Sequence, residues 1–398
     1  MAKPARVCAL QITTSANTAK LAPFPPTRYS HLVGFQDFLG NEAVVQHLRE
    51  SIAHGRLPHA LILAGPRGSG KYTLALMLAQ AANCLNPPET NGLPDFCGEC
   101  RNCTRIAEAM PLETRVEEAI AAREELREVD KKETRILVQT HPDVLVIPPD
   151  PPQLLIKLGQ VRTVIREIYR VPSEAKRAFY IFTSAAFMKE AANSLLKVLE
   201  EPPAHASIFL LAENTGELLP TIRSRAAIVR LGTLPFDQLE QLIARRRTDL
   251  RPAQRSLVAR MSQGAVGAAL GFDLERYLTY RQDALIFLRY ATREPDHSTL
   301  FRMTETYRAG AEGQEKTEGM LRALSSLLED LLLILSGQAA LVRNSDIHSE
   351  LSAIANSISL PWIESTARAI QQVRSGMRRN LLRSLALDAF AGEIQTLA

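Results

Sequence analysis

The stretch that most limits what this chain can become is Ala60-Leu61-Ile62-Leu63-Ala64, followed by Gly65-Pro66-Arg67-Gly68-Ser69-Gly70-Lys71. A short apolar run bounded by His59 and Gly65-Pro66 has the signature of a parallel strand buried on both faces. Leu74 to Cys84 then reads as helix. Strand, glycine loop and helix together make the frame in which backbone N–H groups can cradle phosphates. Val44, Val45, Leu48 and Ile52 precede it at helical spacing, closed by Gly55 and Pro58.

Val144 to Ile147, Ala178 to Phe182 and Ile208 to Leu211 are further apolar runs of strand length. Helical patterns at Val161 to Tyr169 and Ala191 to Leu199 separate them, which predicts an α/β fold with a parallel sheet. From Pro235 onward the strand signals stop and the pattern is helical to Ala398. At 398 residues, two or three domains are the natural division. We place the α/β domain at 30–234, a small helical segment at 235–275 and a helical C-terminal domain at 276–398. Leu321, Leu324, Leu328, Leu331 and Leu335 form one stripe on a helix face, read as core. Residues 1–29, rich in Ala, Thr, Pro and Ser, read as disordered.

The net charge of +4 permits contact with nucleic acid without demanding it, since patches matter more than totals. Arg245-Arg246-Arg247 reads as a solvated helix face. No apolar run approaches the roughly 18 residues of a membrane span, and Val7 to Leu10 is too short for a secretory segment. A cytoplasmic location follows, where thiols stay reduced and clustered cysteines point to metal. An insertion over about 107–138 is dense in Glu and Arg. Pairs such as Glu124 with Arg127 and Glu128 with Lys132 describe a solvated helix standing off the domain surface.

Cys84, Cys97, Cys100 and Cys103 supply two C-x2-C steps that share Cys100, plus a fourth thiol upstream; Cys8 lies in the leader. Such steps curl the chain so that thiolates face one point, and a tetrahedral Zn²⁺ takes four. With no open position the metal is structural, in a module over 84–103.

In a working phosphate loop the Lys pairs with phosphate oxygens and the next residue, Ser or Thr, ligates Mg²⁺. Here that residue is Tyr72, and Thr73 is rotated about 100° further round a helix. The second metal element is a carboxylate at a later strand end, yet Thr183-Ser184-Ala185-Ala186 follows Phe182, with no acid before Glu190. Gly65, Gly68, Gly70 and Lys71 remain as a degenerate cradle. ATP binding there is in doubt, and hydrolysis by this chain is not expected. Arg225, in Thr221-Ile222-Arg223-Ser224-Arg225, stands where a loop arginine could reach a neighbour's γ-phosphate; on spacing alone a surface ion pair has the edge.

Taken in order, Gly34 to Gly40, the phosphate loop, the cysteine cluster, His141-Pro142-Asp143, Leu195-Leu196-Lys197-Val198-Leu199-Glu200-Glu201-Pro202-Pro203 and Thr221 to Arg225 resemble one family. It is the AAA+ clamp-loader family of bacterial DNA polymerase III, its delta-prime branch most of all, over Phe35 to Leu270. The tail matches more loosely, through Asn380 and Leu385-Ala386-Leu387-Asp388. The resemblance implies an AAA+ nucleotide-binding-like domain, a helical lid and a helical collar that joins a five-subunit ring. Its motor and delta subunits would be partners, with the sliding clamp and primer-template DNA reached through the complex in a nucleoid-associated replisome. It implies a stator-like subunit whose Arg225 acts as an arginine finger in trans. Ala226 stands in place of the family's Cys after Ser224-Arg225. Gly264-Ala265-Val266-Gly267 lacks the arginine that a motor's lid would offer. The rival readings are a clamp-loader ATPase motor (gamma/tau-like), with Thr73 shifted into the metal site, and a stand-alone zinc-containing DNA-binding protein.

Overall fold

The computed structural model describes residues 34–151, 153–292, 296–307, 310–377 and 383–397. Cys8 and Asn380 lie outside them. The chain divides into two compact units, one of residues 1–234 with Ala265–Ala268, the other of Pro235–Gly264 with Ala269–Ala398.

The first unit begins with helix α1 (Glu42–Ala53), strand β1 (Ala60–Ala64) and helix α2 (Lys71–Asn83). A two-residue hairpin follows, β2 (Glu89–Thr90) with β3 (Leu93–Pro94), then α3 (Arg101–Ala107), α4 (Leu112–Glu124) and α5 (Glu128–Glu133). The remainder is β4 (Val138–His141), β5 (Val144–Ile147), α6 (Leu158–Glu167), β6 (Ala178–Phe182), α7 (Lys189–Glu200), β7 (Ala206–Ala212), α8 (Pro220–Arg223) and β8 (Ala227–Arg230). The sheet order is β4-β5-β6-β7-β1-β8. All neighbours run parallel except β4 against β5.

Period-two alternation explains the layering. In β1, Leu61 and Leu63 enter one apolar cluster with α2, while Ala60, Ile62 and Ala64 enter the other with α6 and α7. Phe179 and Ile181 of β6 divide from Tyr180 and Phe182 in the same way. Helix α2 is buried from Leu74 to Ala81, as a helix that is apolar on every side must be. Because β1 lies inside the sheet next to β7, its carboxyl end opens onto the crevice where α/β sheets place their ligands.

The second unit is helical throughout its described residues: α9 (Phe236–Arg246), α10 (Pro252–Met261), α11 (Val266–Leu270), α12 (Leu274–Thr292), α13 (His297–Glu305), α14 (Gly310–Leu335), α15 (His348–Ala355), α16 (Leu360–Met377) and α17 (Arg383–Leu397). The first turn of α11 clusters with the sheet unit. Of the leucine stripe on α14, Leu321, Leu324, Leu328 and Leu331 are buried. Leu335 is 41% exposed, because the helix ends there. The expected arginine face is partly structural: Arg247 donates to the Leu270 and Phe272 carbonyls and to Asp249.

Candidate functional site

The loop after β1 follows its sequence frame in backbone. Gly68 has φ +79° and Gly70 φ +87°, left-handed values that favour glycine. A Cβ on Gly68 would stand 2.5 Å from the backbone nitrogen of Ala268, and one on Gly70 would stand 2.7 Å from the Phe38 ring. The loop is therefore packed from both sides. Gly267 N–H donates to the Gly68 carbonyl at 2.8 Å, so the 265–268 segment seals the turn. Lys71 Nζ bends back onto its own loop, donating to the Gly65 oxygen at 2.5 Å and the Pro66 oxygen at 2.8 Å. Burial lowers its pKa, against the pull of Glu213 and Glu217.

Tyr72 faces away from the loop. Its hydroxyl donates to the Ala109 carbonyl at 2.6 Å, and its half-buried ring joins the core beside α2. Burial also pushes the phenol well above its ordinary pKa, so it stays a donor. The residue at the usual magnesium position is thus a clasp on the root of the insertion. Strand β6 runs directly into Thr183, whose N–H pairs with Ile147. The strand beside β1, β7, is instead followed by Glu213-Asn214, which line a small cavity of about 160 Å³ with Gly65 and Arg230. Glu213 is absent from the site residues expected on sequence. Its signal was the apolar run Ile208 to Leu211 stopping one residue short of it.

The insertion is two solvated helices, and no residue of α4 is fully buried. It is nonetheless moored. Arg123 Nη1 reaches the buried Asp150 at 2.8 Å, and Lys131 pairs with Glu124 and Glu128. The side chain of Lys132 lies outside the described ones.

Four sulfurs converge beside α2. Cys84, Cys97, Cys100 and Cys103 place their Sγ atoms within 4.8 Å of one another. Cys84 to Cys97 is 3.5 Å, and both Cys84 to Cys100 and Cys97 to Cys103 are 4.0 Å. Thiolates about 2.3 Å from a tetrahedral zinc lie about 3.8 Å apart, so the donor set fits that ion. Backbone N–H groups already point at the sulfurs, from Cys97 to Cys84 and from Cys100 to Cys97. Burial opposes ionisation of Cys100, but hydrogen bonds from the Leu85 and Cys103 main chain and from the Cys103 and Cys97 thiols outweigh it and bring the thiol down to about 6, while burial pushes the Cys84 and Cys103 thiols up. These four cysteines can hold a metal ion.

The cluster is bolted to the sheet by buried amides. Gln80 donates to the Cys103 carbonyl, Asn102 to the Asn83 carbonyl, and Asn83 and Arg177 exchange two hydrogen bonds. His141, fully buried, accepts from the Asp143 N–H at Nδ1, which leaves Nε2–H to donate to Asn102 Oδ1 at 3.2 Å. Burial lowers its pKa, so it is neutral. Asp143 accepts from the N–H groups of Ser173, Glu174 and Ala175. His141-Pro142-Asp143 is thus a structural joint.

Arg225 follows the short helix α8 on the way into β8. Its Nε and Nη2 meet Glu200 Oε1 at 2.9 and 2.6 Å, and its Nη1 donates to the Thr221 carbonyl at 2.9 Å. Glu200 is the last residue of α7, from the Leu195 to Pro203 motif. Spacing alone favoured a surface ion pair for Arg225, and its partner, which no spacing names, is Glu200.

Residues 40–235 match the family model described as "DNA polymerase III, delta subunit". The chain is 31% identical over 229 residues to DNA polymerase III subunit delta' of Bacillus subtilis (strain 168), covering 56% of this chain and 57% of that one. It is 26% identical over 346 residues to the delta' subunit of Escherichia coli (strain K12), covering 85% and 90%. With DNA polymerase III subunit tau of Escherichia coli it shares 29% identity over 242 residues, 59% of this chain and 32% of that one. The matches thus span about half of the Bacillus relative and a third of the tau relative.

A parallel α/β unit with a phosphate-loop frame at the end of β1 defines the broad class. Within that unit, residues 40–235 match the DNA polymerase III delta family, and delta' and tau subunits of DNA polymerase III are among the proteins the chain is similar to.

Proposed function

We propose that this chain is a non-catalytic, stator-like subunit of the DNA polymerase III clamp loader. In this reading it takes a place in a five-subunit ring with motor and delta subunits and helps load the sliding clamp onto primer-template DNA at the replisome. It lends Arg225 to a neighbouring ATPase. The observation that carries the reading is the state of Lys71, donated to its own Gly65 and Pro66 carbonyls while Tyr72 is spent on Ala109. In this conformation Lys71 is turned onto its own loop, and a phenol aimed at the insertion offers nothing to Mg²⁺.

Arg225 is the contrasting group, a planar fork on the surface that is suited to the charge developing on a transferred γ-phosphoryl group. The four cysteines would hold a structural Zn²⁺, since a full thiolate set leaves no position for water. ATP binding and hydrolysis by the isolated chain, measured beside the reconstituted loader, test the proposal. Negligible turnover alone, with DNA-stimulated hydrolysis of the complex reduced by Arg225→Ala, is the expected result. Turnover by the isolated chain at a motor subunit's rate would favour the gamma/tau-like reading instead.

A further inference from the structure

We infer that Glu200 is a positioning residue for Arg225, holding its guanidinium on the subunit's own surface until a neighbour's triphosphate displaces the carboxylate. The inference rests on the reading of Arg225 as a group that acts in trans. It adds the device that decides when the arginine is available.

The geometry points to exchange and not to a permanent bond. Arg225 Nε and Nη2 form one edge of the guanidinium, the kind of edge that grips phosphate with two parallel hydrogen bonds. Both rest on the single oxygen Glu200 Oε1, at 2.9 and 2.6 Å. A phosphate can take that edge only by replacing the carboxylate. The opposite side of the fork is fixed separately, because Nη1 donates to the Thr221 carbonyl at 2.9 Å and the Ser224 hydroxyl at 3.3 Å. Losing Glu200 therefore frees the gripping edge while the main-chain anchor still aims the side chain.

Exposure decides how firm the hold is. The Arg225 side chain is 33% exposed and that of Glu200 48%, and pairs so open to water are weak. A triphosphate carries more charge than one carboxylate and wins the exchange; once the γ-phosphate is gone, Glu200 can recapture the arginine. The sequence fixes where the carboxylate emerges. Glu200 closes α7, and Pro202-Pro203 prevents the helix from continuing. Arg177, by contrast, donates to Ser207 and to two carbonyls and has no such freedom.

The test uses the full chain reconstituted with motor and delta subunits, sliding clamp and primed DNA, and compares wild type, Glu200→Gln, Arg225→Ala and the double variant. Glu200→Gln keeps the size of the side chain and removes its charge. ATP hydrolysis without DNA should rise roughly two- to five-fold at the dependent site, the span an exposed pair's coupling allows. The KM for ATP should fall, the DNA-stimulated maximum should hardly move, and the double variant should behave as Arg225→Ala alone. Glu201→Gln, which removes the neighbouring charge, should behave as wild type. A parallel drop in basal and stimulated rates, no change in either, or a rise that survives in the double variant overturns the proposal. Arg225→Ala at wild-type rates removes the underlying reading instead, and the proposal with it. In the isolated chain, the Arg225 Nε–H should exchange with solvent faster in Glu200→Gln; equal exchange overturns the holding contact whatever the loader does.

Discussion

Lys71 and Arg225 belong to the same α/β unit, and the fold treats the two cations in opposite ways. Lys71 is satisfied by two main-chain carbonyls of its own loop, with the 265–268 segment bonded to that loop at Gly68. Arg225 is held by one carboxylate on an open surface and by a carbonyl behind it. The Gly65 and Pro66 carbonyls are part of the loop itself, whereas Glu200 is an exposed carboxylate that another anion can replace. The comparison teaches that a phosphate loop can keep its glycines, lysine and backbone while Lys71 and Tyr72 bond to the protein's own carbonyls. Tyr72 is the clearest case, since the residue at the metal position now ties α2 to the insertion.

The comparison breaks most easily where the loop's surroundings are tied down. The largest effect is expected at the cysteine cluster, which anchors the segment that Tyr72 clasps. Cys100→Ser should lower the unfolding free energy by about 4 kcal/mol, within the range seen when a metal site is lost. Elemental analysis of the purified protein should find one zinc per chain. Soluble, folded protein with far less zinc would remove the metal from the account.

Tyr72 comes next. Tyr72→Ala should cost about 3 kcal/mol through lost packing, and Tyr72→Phe about 1 kcal/mol through the lost bond to Ala109. Both are measurable by denaturant unfolding. Tyr72→Thr restores a hydroxyl of the usual kind, yet it should give an unstable chain with no ATPase activity. Hydrolysis in that variant would mean that the loop is still a working site.

A smaller effect is expected from His141. Its folded pKa lies below the ordinary 6.5, so the folded state binds fewer protons than the unfolded state in that window. Stability from this group is complete above about pH 6.5 and is lost as the pH falls below it. His141→Gln should flatten the slope of unfolding free energy between about pH 7 and pH 5; an unchanged slope would mean that His141 is not held neutral. Smallest of all, Arg225→Ala should leave stability within about 0.5 kcal/mol of wild type, because its ion pair is exposed.

Much of this was legible because the signals are local. The apolar runs of β1, β5, β6 and β7 are short, buried on both faces and bounded by turn residues. The two C-x2-C steps lie within seven residues of chain, from Cys97 to Cys103. Strands β4 and β8 gave no signal. Val138-Gln139-Thr140-His141 is an antiparallel edge with polar residues, and Ala227 to Arg230 is an edge strand that is mostly exposed. Neither offers an apolar run or clean alternation. The contacts that define the functional contrast were invisible for another reason. Glu200 with Arg225, Tyr72 with Ala109 and Gly68 with Gly267 each join residues that the fold brings together from far apart in sequence, which no spacing rule encodes. Helix α4 of the charged insertion has no buried residue, but its mooring through Arg123 and Asp150 depends on a burial that composition cannot report.

The most direct test sets the two cations against each other in one assay. DNA-stimulated ATP hydrolysis would be measured for the reconstituted loader carrying Lys71→Ala or Arg225→Ala in this chain. The account predicts wild-type turnover with Lys71→Ala. With Arg225→Ala it predicts the loss of one site's share, since a missing arginine finger costs on the order of 10³-fold at its site. A large drop with Lys71→Ala and none with Arg225→Ala would contradict it.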